Sequence, residues 1–185
     1  MDLVSAAFTA LPREHFLRRH HRHQARYDGP LAIGHGQTNS QPRTVEAMLR
    51  LLGAGPGHRV LDVGSGSAWT TALLARLVGP SGSVTGVELE PDLVKWGAAN
   101  LAKTAQPWAS VSQATPEVLG HPEGAPYDRI LVSAEAVELP GALVEQLAPG
   151  GRLVIPVAGT MLLVTREGAG VSVSEHGHYR FVPLR

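Results

Sequence analysis

A glycine-rich turn with an acidic residue on either side is the part of this sequence best suited to binding a ligand. The turn is Gly64-Ser65-Gly66-Ser67-Ala68, Asp62 precedes it, and Glu88 follows Gly66 by 22 residues. Glycines let a backbone approach a ligand closely, and the first turn of a following helix offers free N–H groups. A carboxylate such as that of Glu88 can accept hydrogen bonds from both hydroxyls of a ribose. The pattern therefore favours a ligand that contains a nucleoside.

The spacing of the turn separates two kinds of nucleoside ligand. A dinucleotide fingerprint requires a third glycine at residue 69, where this chain has Trp69. Methyltransferases with a Rossmann-like fold use the pattern D/E-x-G-x-G-x-G. The stretch from Asp62 to Ala68 fits this pattern except at the last glycine. In such a site Asp62 would approach the ammonium of a bound S-adenosylmethionine. A turn without a ligand and a nicotinamide site are the alternatives.

The elements that must position this turn alternate along the chain. Helices are predicted at 44–52, 69–77, 91–102 and 140–147, and strands at 60–63, 83–87, 109–112, 127–133, 152–157, 161–166, 171–174 and 179–182. Early strands that are apolar on both faces indicate a parallel sheet covered by helices. The predicted fold class is α/β, a doubly wound, mostly parallel, Rossmann-like sheet of the class I methyltransferase type, with antiparallel strands at its C-terminal edge. Ligands bind such sheets at the C-terminal ends of the strands.

The chain is expected to form one compact domain in three segments. Residues 1–58 form an N-terminal helical and loop segment, 59–158 a cofactor-binding core, and 159–185 the C-terminal strands. Within the first segment, 1–30 is expected to be the least ordered part and 31–41 a loop. The basic, histidine-rich run at 18–23 is interpreted as a solvated surface, with metal or phosphate binding as the alternative.

Composition narrows the function classes. The 185 residues are 43% hydrophobic, enough for an ordinary core, and 16 basic residues balance 16 acidic ones. That balance gives no reason to expect binding to nucleic acid or to a membrane surface. The absence of cysteine excludes a thiolate metal site and a cysteine nucleophile. No apolar run reaches membrane-spanning length, so we expect a cytoplasmic protein. We also expect it to be a monomer.

Several stretches together resemble one family, the protein-L-isoaspartate (D-aspartate) O-methyltransferases. The resemblance runs from about Leu11 to the end, and the loop from Gly36 to Pro42 is its most specific part. The matching stretches are Leu11 to Phe16, Leu31 to Pro42, the glycine turn with its acid, Ala125 to Ile130, Leu147 to Val157, and Arg180 to Leu184.

The resemblance implies methyl transfer from S-adenosylmethionine to the α-carboxylate of isoaspartyl residues in damaged proteins, leaving S-adenosylhomocysteine. It implies that Ser40 is the active-site serine and that Thr38, Ala134 and Val182 help to hold the peptide substrate. The implied cofactor-binding residues are Gln37, Thr38, Asn39, Asp62, Gly64, Ser65, Gly66, Ser67, Ala68, Glu88, Leu89 and Glu117. No metal is expected.

The chain departs from the family pattern at four places. Ala68 and Trp69 replace a glycine and a tyrosine of the turn. Thr115-Pro116-Glu117 replaces Gly-Asp-Gly near the adenine, where Glu117 could substitute for the aspartate. Glu135 adds a carboxylate that would repel an anionic substrate if it faced the site. Most of the helix before Leu11 is expected to be missing.

These departures keep two other functions open. One is a diverged carboxyl methyltransferase that acts on another peptide or protein. The other is a cofactor-binding protein without turnover.

Overall fold

The computed structural model of the chain describes residues 2–168 and 170–185. The N-terminal part is more regular than the sequence indicates. It contains helix α1 (Leu3–Ala10) and two 3₁₀ helices (Arg13–Phe16 and Arg19–Gln24). Asp2 caps α1 by accepting hydrogen bonds from the backbone N–H groups of Val4 and Ser5. The predictions of a poorly ordered segment at 1–30 and of a missing helix before Leu11 are therefore wrong.

A short hairpin replaces the loop predicted at 31–41. Strand β1 (Leu31–Gly34) pairs antiparallel with β2 (Gln37–Asn39), and the turn between them holds His35 and Gly36 at positive φ. Leu31 and Ile33 are buried while Ala32 is exposed, so the alternation of a strand was present in the sequence. The loop prediction is wrong because the two glycines were interpreted as irregular chain rather than as a tight turn.

The next elements follow the predicted order. Helix α2 (Pro42–Leu52) leads into β3 (Arg59–Val63), and the rest of the chain alternates between helices and strands. The remaining elements are α3 (Trp69–Val78), β4 (Ser83–Glu88), α4 (Pro91–Leu101), β5 (Ala109–Gln113), β6 (Tyr127–Val132), α5 (Gly141–Glu145), β7 (Leu147–Val157), β8 (Thr160–Glu167) and β9 (Gly170–His178).

Seven strands form the central sheet in the order β5-β4-β3-β6-β7-β8-β9. The first five run parallel, and β8 and β9 are antiparallel additions at one edge. The predicted fold class is confirmed. The chain order reverses direction between β3 and β6, so a crevice opens at the C-terminal ends of these strands.

Side chains of β3 alternate between two cores. Val60 packs with α1, α2 and α3, whereas Leu61 packs on the opposite face with Leu143 of α5. The first core also includes Met161 of β8, so all three predicted segments contribute to one core. Burial of such side chains supplies most of the stability of a domain of this size.

The strand predicted at 179–182 is wrong. The segment after β9 is irregular apart from an isolated bridge between Pro183 and Glu135. Its backbone groups bond to the loop after β6 instead of extending the sheet: Glu135 N–H donates to Val182 O, and Leu184 N–H donates to Glu135 O. Pro183 has no N–H to donate to a ladder.

Candidate functional site

A cavity of about 610 Å³ lies at the C-terminal ends of the parallel strands. Its walls come from the glycine turn, the end of β4, the end of the hairpin, the loops after β5 and β6 and the segment after β9. Thirteen of the predicted site residues line it: Gln37, Thr38, Asn39, Ser40, Gly64, Ser65, Gly66, Ser67, Glu88, Leu89, Glu117, Ala134 and Val182. Asp62 and Ala68 do not appear in its walls.

The glycine turn is tied to the end of β4. The Gly66 N–H donates to Glu88 Oε2 at 2.9 Å, and the Glu90 N–H donates to Glu88 Oε1 at 3.0 Å. The Glu88 side chain is almost fully buried yet borders the cavity. A carboxylate in this position has lone pairs left to accept hydrogen bonds from a ligand.

The hairpin packs over the turn. Gly66 adopts a φ of 51°, and a Cβ placed on it would lie 3.1 Å from Ile33 Cδ1 of β1. Glycine adopts this backbone conformation without strain and leaves room for the close approach of Ile33. This contact brings the end of the hairpin to the cofactor side of the cavity.

Asp62 lies beneath the turn, fully buried. Its Oδ2 accepts hydrogen bonds from the hydroxyls of Thr70 and Thr71 at 2.8 and 2.7 Å. Its Oδ1 has no partner among the described residues, and neither has the Ser65 hydroxyl. Burial raises the pKa of Asp62 to about 6, against the smaller opposing effect of the threonine hydroxyls. The unpartnered Oδ1 lies buried behind the turn and outside the cavity walls, so the structure does not bring it into direct contact with the ligand space.

Ala68 takes the place of the third glycine without entering the cavity. It is buried in the left-handed region with φ 66°, and it precedes α3. Its Cβ points toward Gly97 of α4. A Cβ there costs backbone strain, but it does not narrow the ligand space.

Trp69, the other replaced residue of the turn, fastens the N-terminal segment. Its indole N–H donates to Leu11 O at 3.1 Å, and its ring packs edge-on against Phe8 of α1 at 5.3 Å. The helix before Leu11 is thus present and is anchored directly behind the cofactor wall.

Ser40 follows β2 and is half-buried at the cavity wall. The cap of α2 is Gln41, and its side chain makes no capping bond to the helix. Ser40 therefore does not cap the helix. Next to it, Asn39 is buried and its Nδ2 donates to Ser67 Oγ at 3.0 Å.

Glu135 does not carry charge toward the cavity. Its Oε2 accepts a hydrogen bond from the backbone N–H of Phe181 at 3.2 Å, and the residue is absent from the cavity walls. The condition for repelling an anionic substrate is not met. The carboxylate holds the segment that brings Val182 to the site.

Sequence reasoning missed part of the wall. Val118 and Leu119 of the loop after β5 border the cavity together with Pro116, and Arg185 does so from the end of the chain. Arg185 Nη2 donates to Glu90 Oε1 at 2.7 Å. Because the loop after β5 follows a parallel strand, its position could have indicated that Val118 and Leu119 border the cavity. Arg185 had no such signal.

The histidine-rich run lies apart from the cavity, in the 3₁₀ helix Arg19–Gln24. Over residues 2–168 and 170–185 no cluster of three or more His, Cys, Asp or Glu could hold a metal ion. Arg18 stacks on the Trp96 ring at 3.7 Å and donates to Ile33 O. In the same described ranges, no helix has both the length and the apolar character to cross a membrane.

Two solved structures share this fold over the whole chain. A protein-L-isoaspartate O-methyltransferase superposes with a TM-score of 0.90 at 25% identity, and the chain spans 62% of its length. A Plasmodium falciparum protein assigned as the same enzyme, in complex with S-adenosyl-L-homocysteine, superposes with a TM-score of 0.88 at 27% identity, with 91% of its length covered. The fold and the site define an S-adenosylmethionine-dependent methyltransferase of class I.

The sequence comparisons give the family. The profile of the protein-L-isoaspartate(D-aspartate) O-methyltransferase family matches residues 1–185. The protein-L-isoaspartate O-methyltransferase of Methanopyrus kandleri is 41% identical over 186 residues, which covers 98% of this chain and 82% of the relative. The chain belongs to this family. The resemblance inferred from the sequence and the predicted cofactor are confirmed.

Proposed function

We propose that this chain methylates the α-carboxylate of L-isoaspartyl residues in damaged proteins, with S-adenosylmethionine as the methyl donor. The observation that carries the proposal is the meeting of two walls at one cavity. The glycine turn with Glu88 forms one wall, and the end of the hairpin with Ser40 forms the other.

The cofactor wall suits each part of S-adenosylmethionine. Glu88 accepts hydrogen bonds from the ribose hydroxyls, and Asp62 lies beneath the turn where the cationic methionine end would be held. Backbone N–H groups at the start of α3 favour the carboxylate of that end. Leu89 and Glu117 lie at the adenine side. When bound, S-adenosylmethionine supplies an electrophilic methyl group on a sulfonium sulfur.

The acceptor wall needs no strong general base. A carboxylate is already ionised at neutral pH, so the protein has only to align it and exclude water. The hydroxyls of Ser40 and Thr38 orient the carboxylate without neutralising its charge, which keeps it nucleophilic. Ala134 and Val182 hold the peptide backbone beside them. The product is the methyl ester of the isoaspartyl residue.

The test is a methyl-transfer assay on paired peptides that differ only in an isoaspartyl or an aspartyl linkage. We expect transfer of labelled methyl to the isoaspartyl peptide and none to its isomer. Equal rates on both peptides would contradict the proposal, and so would no transfer by protein whose cofactor binding has been verified by calorimetry. The Ser40→Ala variant serves as the control for transfer at this site.

A diverged enzyme with a different peptide or protein acceptor has less support. One of the departures that suggested it, Glu135, accepts a hydrogen bond from the Phe181 N–H and does not border the cavity. Equal rates on both peptides of the pair would favour that alternative.

A further inference from the structure

The Arg13 side chain is buried and has five hydrogen-bond acceptors, three of them at the hairpin end. Its Nε donates to Asn39 Oδ1 at 2.6 Å, and its Nη2 lies within 2.8 to 2.9 Å of the carbonyl oxygens of Gly29, Asn39 and Ser40. Its Nη1 donates to Tyr27 O at 2.8 Å. All of these acceptors are amide oxygens and none is a carboxylate. The residue does not itself border the cavity.

This arrangement requires a guanidinium. Arginine presents five N–H donors in a rigid planar fork, whereas the lysine ammonium has three donors at a single point. Burial lowers the pKa of Arg13 to about 10, so the group remains charged at neutral pH. A buried cation is costly unless its donors are satisfied, and here Nε, Nη1 and Nη2 each have at least one acceptor, while the Asp28 carboxylate adds a favourable charge interaction.

The contacts continue from Arg13 to the cofactor wall. Because Arg13 holds Asn39 Oδ1, the amide nitrogen of Asn39 is turned toward Ser67 Oγ, 3.0 Å away in the glycine turn. The guanidinium also lies 5.7 Å from the centre of the Trp69 ring, directly after that turn. One side chain thus contacts both carbonyls around Ser40 and, through Asn39, the cofactor turn.

We propose that Arg13 is a positioning residue that fixes the Ser40 hydroxyl at its working distance from the cofactor wall. This inference rests on the proposed function of Ser40. A displacement on the order of 1 Å between reacting groups can lower a rate about 100-fold. Substituting Arg13 should therefore impair the methyl-transfer step through Ser40 while leaving the sheet intact.

The kinetic test compares Arg13→Lys with Arg18→Lys. Arg18 lies on the same segment and donates to a carbonyl of the hairpin, but that carbonyl is Ile33 O rather than Asn39 O or Ser40 O. We expect Arg13→Lys to lower kcat on the isoaspartyl peptide about 10- to 100-fold, and Arg18→Lys to lower it less than about threefold. In a Ser40→Ala background the effect of Arg13→Lys should shrink to about twofold, since residues that act through one another are not additive. Full additivity in the double variant would overturn the proposal.

A second measurement does not depend on the methyl acceptor. Hydrogen exchange of the protein saturated with S-adenosylhomocysteine should become at least about tenfold faster at residues 38–41 in Arg13→Lys and stay unchanged in β3 and β6. Arg18→Lys should not reproduce that local change. Unchanged exchange at 38–41, or equal acceleration throughout the sheet, would overturn the proposal.

The two proposals fail in different ways. A wild-type protein that methylates neither peptide contradicts the proposed function, and the exchange measurement then still decides whether Arg13 fixes the hairpin end. If Arg13→Lys does not yield folded protein because of its poorly bonded charge, Arg13→Gln removes that charge and has the same expected kinetic and exchange changes.

Discussion

The two walls of the cavity are built in different ways. Most of the cofactor wall comes from one continuous stretch, residues 64–89, with the loop after β5 beside it, and it lies at the ends of strands that parallel ladders hold in place. The acceptor wall is assembled from the hairpin end, the loop after β6 and the segment after β9. Single side chains, those of Arg13 and Glu135, hold its pieces in place.

The two walls should therefore respond differently to the loss of a single side chain. A wall fixed by a sheet ladder tolerates loss of most single side chains, because backbone bonds carry its geometry. A wall fixed by side-chain to backbone bonds loses its geometry when one side chain is removed. We therefore expect substitutions in the acceptor wall to change turnover and peptide binding, with cofactor binding unaffected.

Glu88→Ala should have the largest effect and should fall on cofactor binding. It removes the proposed acceptor for the ribose hydroxyls and leaves the buried Gly66 N–H without its partner. Each hydrogen bond to a charged group contributes ~1.5–3 kcal/mol, so the Kd for S-adenosylmethionine should rise about 100-fold or more. Calorimetry measures this, with the exposed Glu123→Ala as the control. Binding within threefold of wild type would remove Glu88 from the cofactor wall.

Asp62→Asn tests the buried carboxyl of the cofactor wall through pH. Because burial raises its pKa from 3.8 to about 6, the folded protein binds this proton more tightly than the unfolded chain does. The resulting stability is fully present below pH 3.8 and is lost as the pH rises through about 6, by about 3 kcal/mol at about 1.4 kcal/mol per pH unit. Asparagine does not titrate, so the difference in free energy of unfolding, variant minus wild type, should grow by about 2.4 kcal/mol between pH 4 and pH 7, since the unfolded wild-type carboxyl is already partly ionised at pH 4. Denaturant unfolding of the cofactor-free proteins measures it, and parallel curves would contradict it.

Ser40→Ala should separate the two walls. Loss of one hydroxyl that bonds to a carboxylate should lower kcat on the isoaspartyl peptide about 10- to 100-fold. The Kd for S-adenosylmethionine should stay within about twofold, since Glu88 and the glycine turn are untouched. Steady-state rates and calorimetry on the same preparation check both values, and Ser40→Thr, which keeps a hydroxyl, should recover part of the rate. A matching loss of cofactor affinity would mean that the walls are not independent.

Glu135→Gln should weaken peptide binding moderately. The neutral amide is a poorer acceptor for the Phe181 N–H, so the segment that carries Val182 is held less firmly. A loss of about 1 kcal/mol, the difference between charged and neutral hydrogen bonds, raises the peptide KM about fivefold. Glu145→Gln on the exposed surface of α5 removes the same charge and should leave KM unchanged. A lower KM in Glu135→Gln would mean that this carboxylate repels the substrate after all.

Ala68→Gly should have the smallest effect. Glycine relieves the left-handed strain, ~1–2 kcal/mol, but loses ~0.5–1 kcal/mol in backbone entropy, so the free energy of unfolding should rise by no more than about 1.5 kcal/mol. Because the Ala68 methyl group faces Gly97 and not the cavity, the Kd for S-adenosylmethionine should stay within about twofold. A tenfold gain in affinity would show that the methyl group obstructs the cofactor. Thermal unfolding and calorimetry measure the two quantities.

The class of fold and most of the cofactor wall could be predicted from the sequence alone. The strands and helix from Arg59 to Glu88 lie close to their predicted bounds, because the apolar runs and the glycine turn are local signals that the sheet then uses unchanged. The residues Gln37 to Ser40 were also selected correctly as cavity residues, although their hairpin was interpreted as a loop. Their assigned roles stay predictions.

The side-chain contacts that hold the acceptor wall in place are visible only in the tertiary structure. Nothing in the local pattern around Arg13 indicates that its guanidinium bonds to carbonyl groups more than 25 residues away, or that Glu135 turns from the cavity to the Phe181 N–H. Such contacts depend on where distant segments meet, and that is fixed only when the cores on both faces of the sheet are packed. Asp62 belongs to both accounts, since the sequence selected it and the fold buried it beneath the turn.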